Sequence, residues 1–254
     1  MRKSKEELIA IWQDTESRFT DYPFKIDGYE TKSKDIKFLS TTNVFKNIPY
    51  GQHLQAVPTN VCNVSVQNQD CMVVANELSK LGKTCMLNMA SYKHPGGGVT
   101  RGSMAQEEEL ARRSNMMMGL TLYDYPLSKT DVIYLTDVTF FKDGNYNLMN
   151  PFDCDVITIA ALNLNGLEKP VDYEELTLGK IKTMMMEPAM NGCTNLVLSA
   201  FGCGVFKNDP AYIASIFKSV INNVTYLYDN IVFAVINDKN SVANNYEIFK
   251  SIIE

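Results

Sequence analysis

Short apolar runs alternate with longer amphipathic stretches along most of this chain, a pattern that predicts alternating strands and helices. The predicted strands cover residues 36–40, 61–66, 84–89, 131–135, 138–141, 155–162, 195–200 and 231–236. The predicted helices cover residues 5–19, 69–82, 104–120, 173–191, 210–223 and 241–253. Strands separated by helices are typical of an α/β sandwich with a partly parallel sheet.

The beginning of the chain precedes this alternation. Ser4 and Glu7 have the spacing of a capping box, which predicts the start of the first helix. We expect residues 1–55 to form an N-terminal helical extension packed on the core, with residues 41–60 as loop. No internal repeat or linker divides the rest, so the prediction is a single domain over residues 1–254.

A glycine-rich loop follows the apolar run at residues 84–89. Pro95 and the three glycines at 96–98 cannot continue a strand, and glycines let a backbone approach a ligand closely. Gln106 and the glutamates at 107–109 then open a helix, where the dipole favours carboxylates. Taken alone, the glycines are equally typical of a tight turn without function, and the glutamates of a solvated helix end. Their close spacing predicts that loop amides and proton-transferring carboxylates face one cavity.

A second loop, SAFGCGVFKNDP at 199–210, also joins an apolar run to a helix. Asp209 as N-cap and Pro210 as first helical residue explain the helix start. They do not explain the Gly-Cys-Gly sequence at 202–204, which would let the backbone fold over a phosphate. Phe206 would close over a ribose or base, or pack in the core. Ligands of α/β sheets bind at the carboxyl ends of strands, where both loops lie.

Charge and composition exclude several classes of function. The 254 residues carry a formal net charge of −5, so the basic footprint of a nucleic-acid-binding protein is missing. Six cysteines without a CxxC pair and two histidines supply no metal site, so no metal or cofactor is predicted. Reduced cysteines and the lack of a membrane-spanning stretch predict a cytoplasmic protein, or a nuclear one in a eukaryote. Cys203 is disfavoured as a nucleophile because no histidine lies near it in sequence.

Both loops resemble those of a known family. PGGGVTRGSMAQEEE at 95–109 resembles the catalytic signature of poly(ADP-ribose) glycohydrolases, and residues 199–210 resemble the diphosphate loop of the same enzymes and of macrodomains. The microbial-type family is the most similar. It shares an Asn-Phe-Ala-Ser-like strand end, the Leu-x-Arg-x-Ser spacing after the glutamates, and a final strand with a Tyr-Glu-x-Phe helix. These are matched at Asn88–Ser91, at Leu110, Arg112 and Ser114, and at Phe233–Ile236 and Tyr246–Phe249.

The resemblance implies a fold and a reaction. The implied fold is a macrodomain-like three-layer α/β/α sandwich with a mixed sheet. The implied activity is binding of ADP-ribose and cleavage of the ribose-linked O-glycosidic bonds of poly(ADP-ribose). Glu108 matches the catalytic acid/base and Glu107 the partner that hydrogen-bonds ribose hydroxyls. Successive helical residues differ by about 100°, so the three glutamates cannot all point at one bond, and Glu109 is predicted to face solvent.

The resemblance also assigns contacts to ADP-ribose. Ser91 stands where ordinary macrodomains and the animal-type enzymes usually have Asn, and Asn88 is the expected substitute in the contact to the distal ribose. The full set of predicted ADP-ribose contacts comprises Asn88, Ser91, Gly96, Gly97, Gly98, Val99, Gln106, Gly202, Cys203, Gly204, Val205 and Phe206.

Two other functions stay open at this point. Macrodomain-like folds include readers that bind ADP-ribose without cleaving it, because fold does not fix function. A hydrolase acting on a single ADP-ribose attached to a protein would use the same residues. The glutamate pair favours an enzyme, since a pure reader does not need it. The implied partners are ADP-ribose or poly(ADP-ribose) chains on modified proteins, with no membrane and no direct nucleic-acid contact.

Overall fold

The computed structural model describes residues 3–19, 25–26, 29–30, 36–40, 61–237, 241 and 244–254. In the three short segments between 25 and 40 only the backbone is described. The loop predicted over residues 41–60 lies outside the described residues.

The described residues form helices and strands that largely follow the predicted alternation. The helices are α1 (Lys5–Ser17), α2 (Cys71–Ser79), α3 (Gln106–Arg113), α4 (Met117–Leu120), α5 (Tyr173–Met190), α6 (Pro210–Ile221) and α7 (Asn245–Ile253). The strands are β1 (Lys25–Ile26), β2 (Tyr29–Glu30), β3 (Ile36–Ser40), β4 (Asn63–Gln67), β5 (Thr84–Met89), β6 (Asp131–Lys142), β7 (Leu148–Ile159), β8 (Asn195–Leu198) and β9 (Asn230–Ala234). Single 3₁₀ turns occur at Val99–Arg101 and Thr225–Leu227.

Seven strands form one mixed sheet in the order β3-β6-β7-β5-β8-β9-β4. The five strands from β7 to β4 pair in parallel, whereas β6 runs antiparallel to both β3 and β7. Strands β5 and β8 are direct neighbours in this order. Because they are parallel, the glycine loop after β5 and the second loop after β8 leave the sheet at the same edge.

Buried apolar side chains lie on both faces of the sheet. One cluster joins the sheet to α1, α2, α3 and α4, and includes Trp12 and Leu110. The other joins it to α5, α6 and α7, and includes Ile213 and Phe249. Adjacent residues of β5 alternate between the two, as the period of a strand requires. The structure is therefore a three-layer α/β/α sandwich with a mixed sheet, as predicted.

Helix α1 begins with the predicted capping box. The Ser4 Oγ accepts from the Glu7 N–H (3.2 Å), and a Glu7 carboxylate oxygen accepts from the Ser4 N–H (2.6 Å). Trp12 is buried in the core, and the hydroxyl of Thr15 donates to the Arg112 carbonyl (2.6 Å). The helix therefore packs directly on α3.

The prediction of a continuous helix over 104–120 was wrong. Helix α3 ends at Arg113, Ser114 is extended and forms a bridge to Phe140, and α4 begins at Met117. The Ser114 hydroxyl donates to the Leu110 carbonyl and accepts from the Met116 N–H. Side-chain bonds of this kind compete with helical backbone bonds, and the apolar spacing does not reveal them.

Two strands are longer than predicted. Residues 131–135 and 138–141 belong to one strand, β6, which is irregular around Asp137. Strand β7 begins at Leu148 rather than at residue 155. The Asp143 carboxylate accepts from the Asn145 and Asn147 N–H groups and so stabilises the turn that joins β6 to β7.

Candidate active site

The glycine loop, defined here as residues 95–105, is shaped by backbone conformations that favour glycine. Gly96 and Gly97 have φ values of 66° and 61°. A Cβ atom on Gly97 would lie 2.5 Å from Glu108 Oε1 and 3.1 Å from Glu107 Oε2. The loop backbone therefore touches both carboxyl groups at a position where only glycine fits.

Glu107 is buried, with 3% of its surface exposed. Its carboxyl accepts from the Ser91 N–H (2.6 Å), the Gly96 N–H (3.2 Å) and the Asn88 Nδ2 (3.5 Å). Burial raises its pKa to about 8 against the opposing effect of the Ser91 N–H, and the neighbouring Glu108 adds to the rise. Burial of Glu107 therefore favours its protonated form.

Glu108 is held by two backbone amides. Its Oε1 accepts from the Gly98 N–H and its Oε2 from the Ala105 N–H, both at 2.8 Å. The second bond caps the first turn of α3, in which Glu108 itself lies. The two glutamates therefore bind opposite ends of the triple-glycine segment, and Gly97 lies between these contacts.

Other predicted site residues of this region mainly fix the geometry. The Gln106 side chain accepts from the Met89 N–H (2.7 Å) and donates to the Leu87 carbonyl (2.5 Å), so it joins α3 to the end of β5. Val99, within the loop, has a buried side chain. The half-buried Ser91 accepts at its Oγ from the amides of the next turn.

Asn88 is fully buried in β5 and contacts Glu107 through its Nδ2. Its Nδ2 also donates to the Thr158 hydroxyl (3.2 Å). Its Oδ1 is buried and has no hydrogen-bond partner among the described residues. A buried amide oxygen without a partner is costly, which makes it a candidate acceptor for a donor that the chain itself does not supply.

Glu109 does not face solvent freely, contrary to prediction. Its carboxylate accepts from the Tyr146 hydroxyl (2.8 Å) and from Arg112 Nη1 (3.0 Å). It belongs to the packing of α3 against the β6–β7 hairpin and takes no part in the contact with Gly97.

The second loop, residues 199–210, is held by the side chain of Asn208, which was not among the predicted residues. Asn208 is buried, and its Nδ2 donates to the carbonyls of Leu162 (2.9 Å) and Gly202 (3.1 Å). Its Oδ1 accepts from the Tyr173 hydroxyl (2.7 Å). A Cβ on Gly202, whose φ is 74°, would lie 2.6 Å from this amide nitrogen. An Asn directly before an N-cap Asp is also typical of a helix start. The sequence alone therefore does not reveal that Asn208 holds the loop.

Consecutive amides of the second loop are open. The N–H groups of Gly204, Val205 and Phe206 make no hydrogen bond within the described part of the chain. Cys203 is fully buried and its Sγ contacts the Phe201 carbonyl, while burial raises the pKa of its thiol. Open amides next to a glycine turn suit an anion, whereas the Cys203 thiol suits neither nucleophile nor ligand contact.

The two loops meet. The ring centroids of Phe206 and Tyr92 are 6.5 Å apart, with the rings tilted by 58°. Tyr92 follows Ser91 directly and was not among the predicted residues. This contact, and the neighbouring positions of β5 and β8, place both loops on one side of the molecule.

Three further findings concern the described residues only. They contain no group of three or more His, Cys, Asp and Glu side chains arranged to hold a metal ion. None of their helices has the length and apolarity needed to cross a membrane. All six cysteines are free thiols, and five of them are buried, with Cys62 partly exposed.

Solved structures of similar fold exist. The chain superposes on the crystal structure of poly(ADP-ribose) glycohydrolase from Thermomonospora curvata with a TM-score of 0.80 and 24% identity, covering 96% of this chain and 98% of that one. The same enzyme bound to the inhibitor ADP-HPD gives 0.78 and 23%, with the same coverage. The enzyme from Deinococcus radiodurans in complex with ADP-ribose gives 0.69 and 22%, covering 86% and 94%. These likenesses establish the fold as that of the bacterial glycohydrolases, which is macrodomain-like.

The family follows from the sequence. Residues 28–143 match the family described as microbial-type PARG, catalytic domain. This segment contains the glycine loop and both glutamates, and it belongs to the microbial-type PARG family, as the motif at 95–109 predicts. No curated protein matches the chain.

Proposed function

We propose that this protein is a glycosidase that hydrolyses the ribose-linked O-glycosidic bonds of poly(ADP-ribose) and releases ADP-ribose. The observation that carries the proposal is the pair of buried carboxyl groups, Glu107 and Glu108, held against Gly97 by amides of the same loop. The membership of this segment in the microbial-type PARG family supports it.

Glu108 is the proposed acid/base. Cleavage of a glycosidic bond requires a proton on the leaving oxygen while positive charge develops on the ribose. Glu108 donates that proton and then accepts one from the attacking water. Glu107, whose protonated form burial favours, offers a donor as well as an acceptor to the ribose hydroxyls.

The remaining predicted residues bind the substrate. The open amides of Gly204, Val205 and Phe206 hold the diphosphate, in the manner of other anion-binding loops. The glycine-loop backbone at 96–99 lies along the ribose and diphosphate. Ser91, or Asn88 through its unpartnered Oδ1, contacts the distal ribose, and Phe206 with Tyr92 forms the wall that closes over the sugar.

The test uses defined mono- and poly-ADP-ribosylated substrates with wild type and Glu108→Gln. Wild type should release ADP-ribose from the polymer, and the variant should lose about 10²–10⁴-fold in turnover. Calorimetry should show that ADP-ribose still binds to the variant. Tight binding without release by wild type would support a non-catalytic reader instead, and release from the mono-modified substrate alone would support a mono-ADP-ribosyl hydrolase.

We also propose the partners, the cellular location and the domain organisation of the protein. Poly(ADP-ribose) on modified proteins is the proposed substrate. We propose no membrane partner and no nucleic-acid partner, and the net charge of −5 supports the lack of nucleic-acid binding. Six free thiols support a cytoplasmic location. A single domain over residues 1–254, with residues 1–55 as an N-terminal extension, remains the proposed organisation.

A further inference from the structure

Arg112 is a fully buried cation in α3, one turn beyond Glu108. Its Nε donates to the Leu8 carbonyl of α1 (3.3 Å), and its Nη2 to the Ser103 carbonyl of the glycine loop (2.5 Å). Its Nη1 binds Glu109 (3.0 Å). Burial of a guanidinium is costly unless its donors are used, so these three contacts fix the group rigidly.

A short series of hydrogen bonds leads from Arg112 to the proposed acid/base. The Ser103 carbonyl accepts from Arg112, and the Ser103 N–H donates to the Gly98 carbonyl (3.1 Å). The Gly98 N–H in turn donates to Glu108 Oε1 (2.8 Å). The position of the Gly98 amide, and with it that of the Glu108 carboxyl, therefore depends on where Arg112 holds Ser103.

Helix α1 completes this arrangement from the other side. The Thr15 hydroxyl donates to the Arg112 carbonyl (2.6 Å) and accepts from Lys142 Nζ (2.6 Å). The loop also touches α1 directly, because a Cβ on Gly102 would lie 2.6 Å from the Lys5 carbonyl oxygen. Arg112 is thus the side chain that joins α1, α3 and the glycine loop.

We propose that Arg112 is a positioning residue for Glu108. It acts through Ser103 and Gly98 and touches no substrate, and its catalytic meaning rests on the proposed function. Loss of its planar fork should therefore lower kcat by a larger factor than it raises KM, since the loop after β8 is untouched and only the glycine-loop part of the substrate contact shifts.

The neighbouring arginine provides a matched control. Arg113 is also buried, with 2% exposed. Its Nε donates to the Glu109 carbonyl (3.1 Å) and its Nη2 to Asp70 Oδ2 (3.0 Å), and its contacts lead away from the glycine loop towards α2. The two residues thus share burial and helix but not the link to Glu108.

The experiment compares Arg112→Lys with Arg113→Lys. Lysine keeps the charge and loses the planar fork. For Arg112→Lys we expect kcat to fall by about 10²-fold, as for a displaced catalytic group. For Arg113→Lys we expect a lowered Tm with kcat close to wild type. Equal losses of kcat in both variants, or none in Arg112→Lys, would overturn the proposal.

A second readout does not require activity. Amide hydrogen exchange at Gly98 should become faster in Arg112→Lys and stay slow in Arg113→Lys. Unchanged protection at Gly98 in Arg112→Lys would also overturn the proposal. If Arg112→Lys does not fold, Thr15→Val, which removes the bond from α1 to the Arg112 carbonyl, should show both effects to a smaller extent, and wild-type values in that variant would count against the proposal.

The two proposals fail in different ways. If wild type releases no ADP-ribose from any substrate, the proposed function is wrong, whereas the exchange of Gly98 still decides whether Arg112 positions the loop. If wild type is active but Glu108→Gln is equally active, the link from Arg112 to Gly98 would have no catalytic meaning.

Discussion

The glycine loop and the second loop follow neighbouring parallel strands, yet their backbone amides have different partners. In the glycine loop the amides of Gly96 and Gly98 donate to the carboxyl groups of Glu107 and Glu108. In the second loop the amides of 204–206 have no partner in the described part of the chain, and the Asn208 side chain maintains the shape. One loop thus orients acids, and the other leaves donors open for an anion.

Substitutions in the two loops should therefore have different effects on catalysis and binding. Changes in the glycine loop should alter mainly the rate of the chemical step, because they move the carboxyl groups of Glu107 and Glu108. Changes in the second loop should alter binding, because they disturb open amides. The following variants test the division, beginning with the largest expected effect.

Gly97→Ala should reduce kcat by about 10²-fold or more, because the new Cβ would lie 2.5 Å from Glu108 Oε1 and displace the carboxyl. Steady-state kinetics on poly(ADP-ribose) measures this. Gly192→Ala is the control, since Gly192 has φ 79° and no atom within 4 Å of the added Cβ. Gly192→Ala imposes a similar backbone strain, about 1–2 kcal/mol for a non-glycine residue at positive φ, and its Cβ contacts neither glutamate. Equal activity of the two variants would mean that the carboxyl groups do not need this geometry.

Asn208→Ala should weaken ADP-ribose binding by about tenfold, with a smaller effect on kcat. The loss of the bonds to the Leu162 and Gly202 carbonyls, each worth about 1 kcal/mol net, frees the second loop from the segment after β7 and lets its open amides move. Calorimetry with ADP-ribose measures the change, and Asn223→Ala, at an exposed asparagine bonded to Ser219, is the control. A fall in kcat without a change in affinity would contradict the division between the loops.

Glu107→Gln should have the smallest effect at pH 7, because an amide keeps the shape and lack of charge of a protonated carboxyl. Only the amide oxygen can accept, so either the Ser91 or the Gly96 N–H loses its partner. The wild-type profile of kcat/KM against pH should fall above about pH 8, where Glu107 loses its proton. The variant cannot lose that proton, so its profile should lack this fall. A loss in Glu107→Gln at pH 7 as large as that in Glu108→Gln would show that the charged form of Glu107 is needed.

The sequence predicted those parts of the fold and site that depend on local chemistry. Strand β5 has the predicted bounds of 84–89 because its apolar run ends at an abrupt turn signal. The capping box of α1 and the N-cap Asp209 also depend on residues close together in the chain. For the glycines and glutamates the sequence predicted a shared cavity, and the direct hydrogen bonds between them were not predicted.

Features that depend on distant residues were missed. Asn208 is fixed by Tyr173, 35 residues away, and Arg112 by Leu8, 104 residues away. The break after Arg113 depends on the bridge between Ser114 and Phe140, which forms only once β6 is in place. Hydrophobic periodicity carries no record of such contacts, because it reports the burial of a face and not its hydrogen-bond partners.

The burial of the cysteines has a practical consequence. Five thiols are enclosed and Cys62 alone is partly exposed, so a small alkylating reagent should add at most one label to the folded protein within minutes. Further mass increments would then record the opening of the sheet and its helices. The chain thus contains its own reporter of unfolding, which can be read by mass spectrometry without substrate or dye.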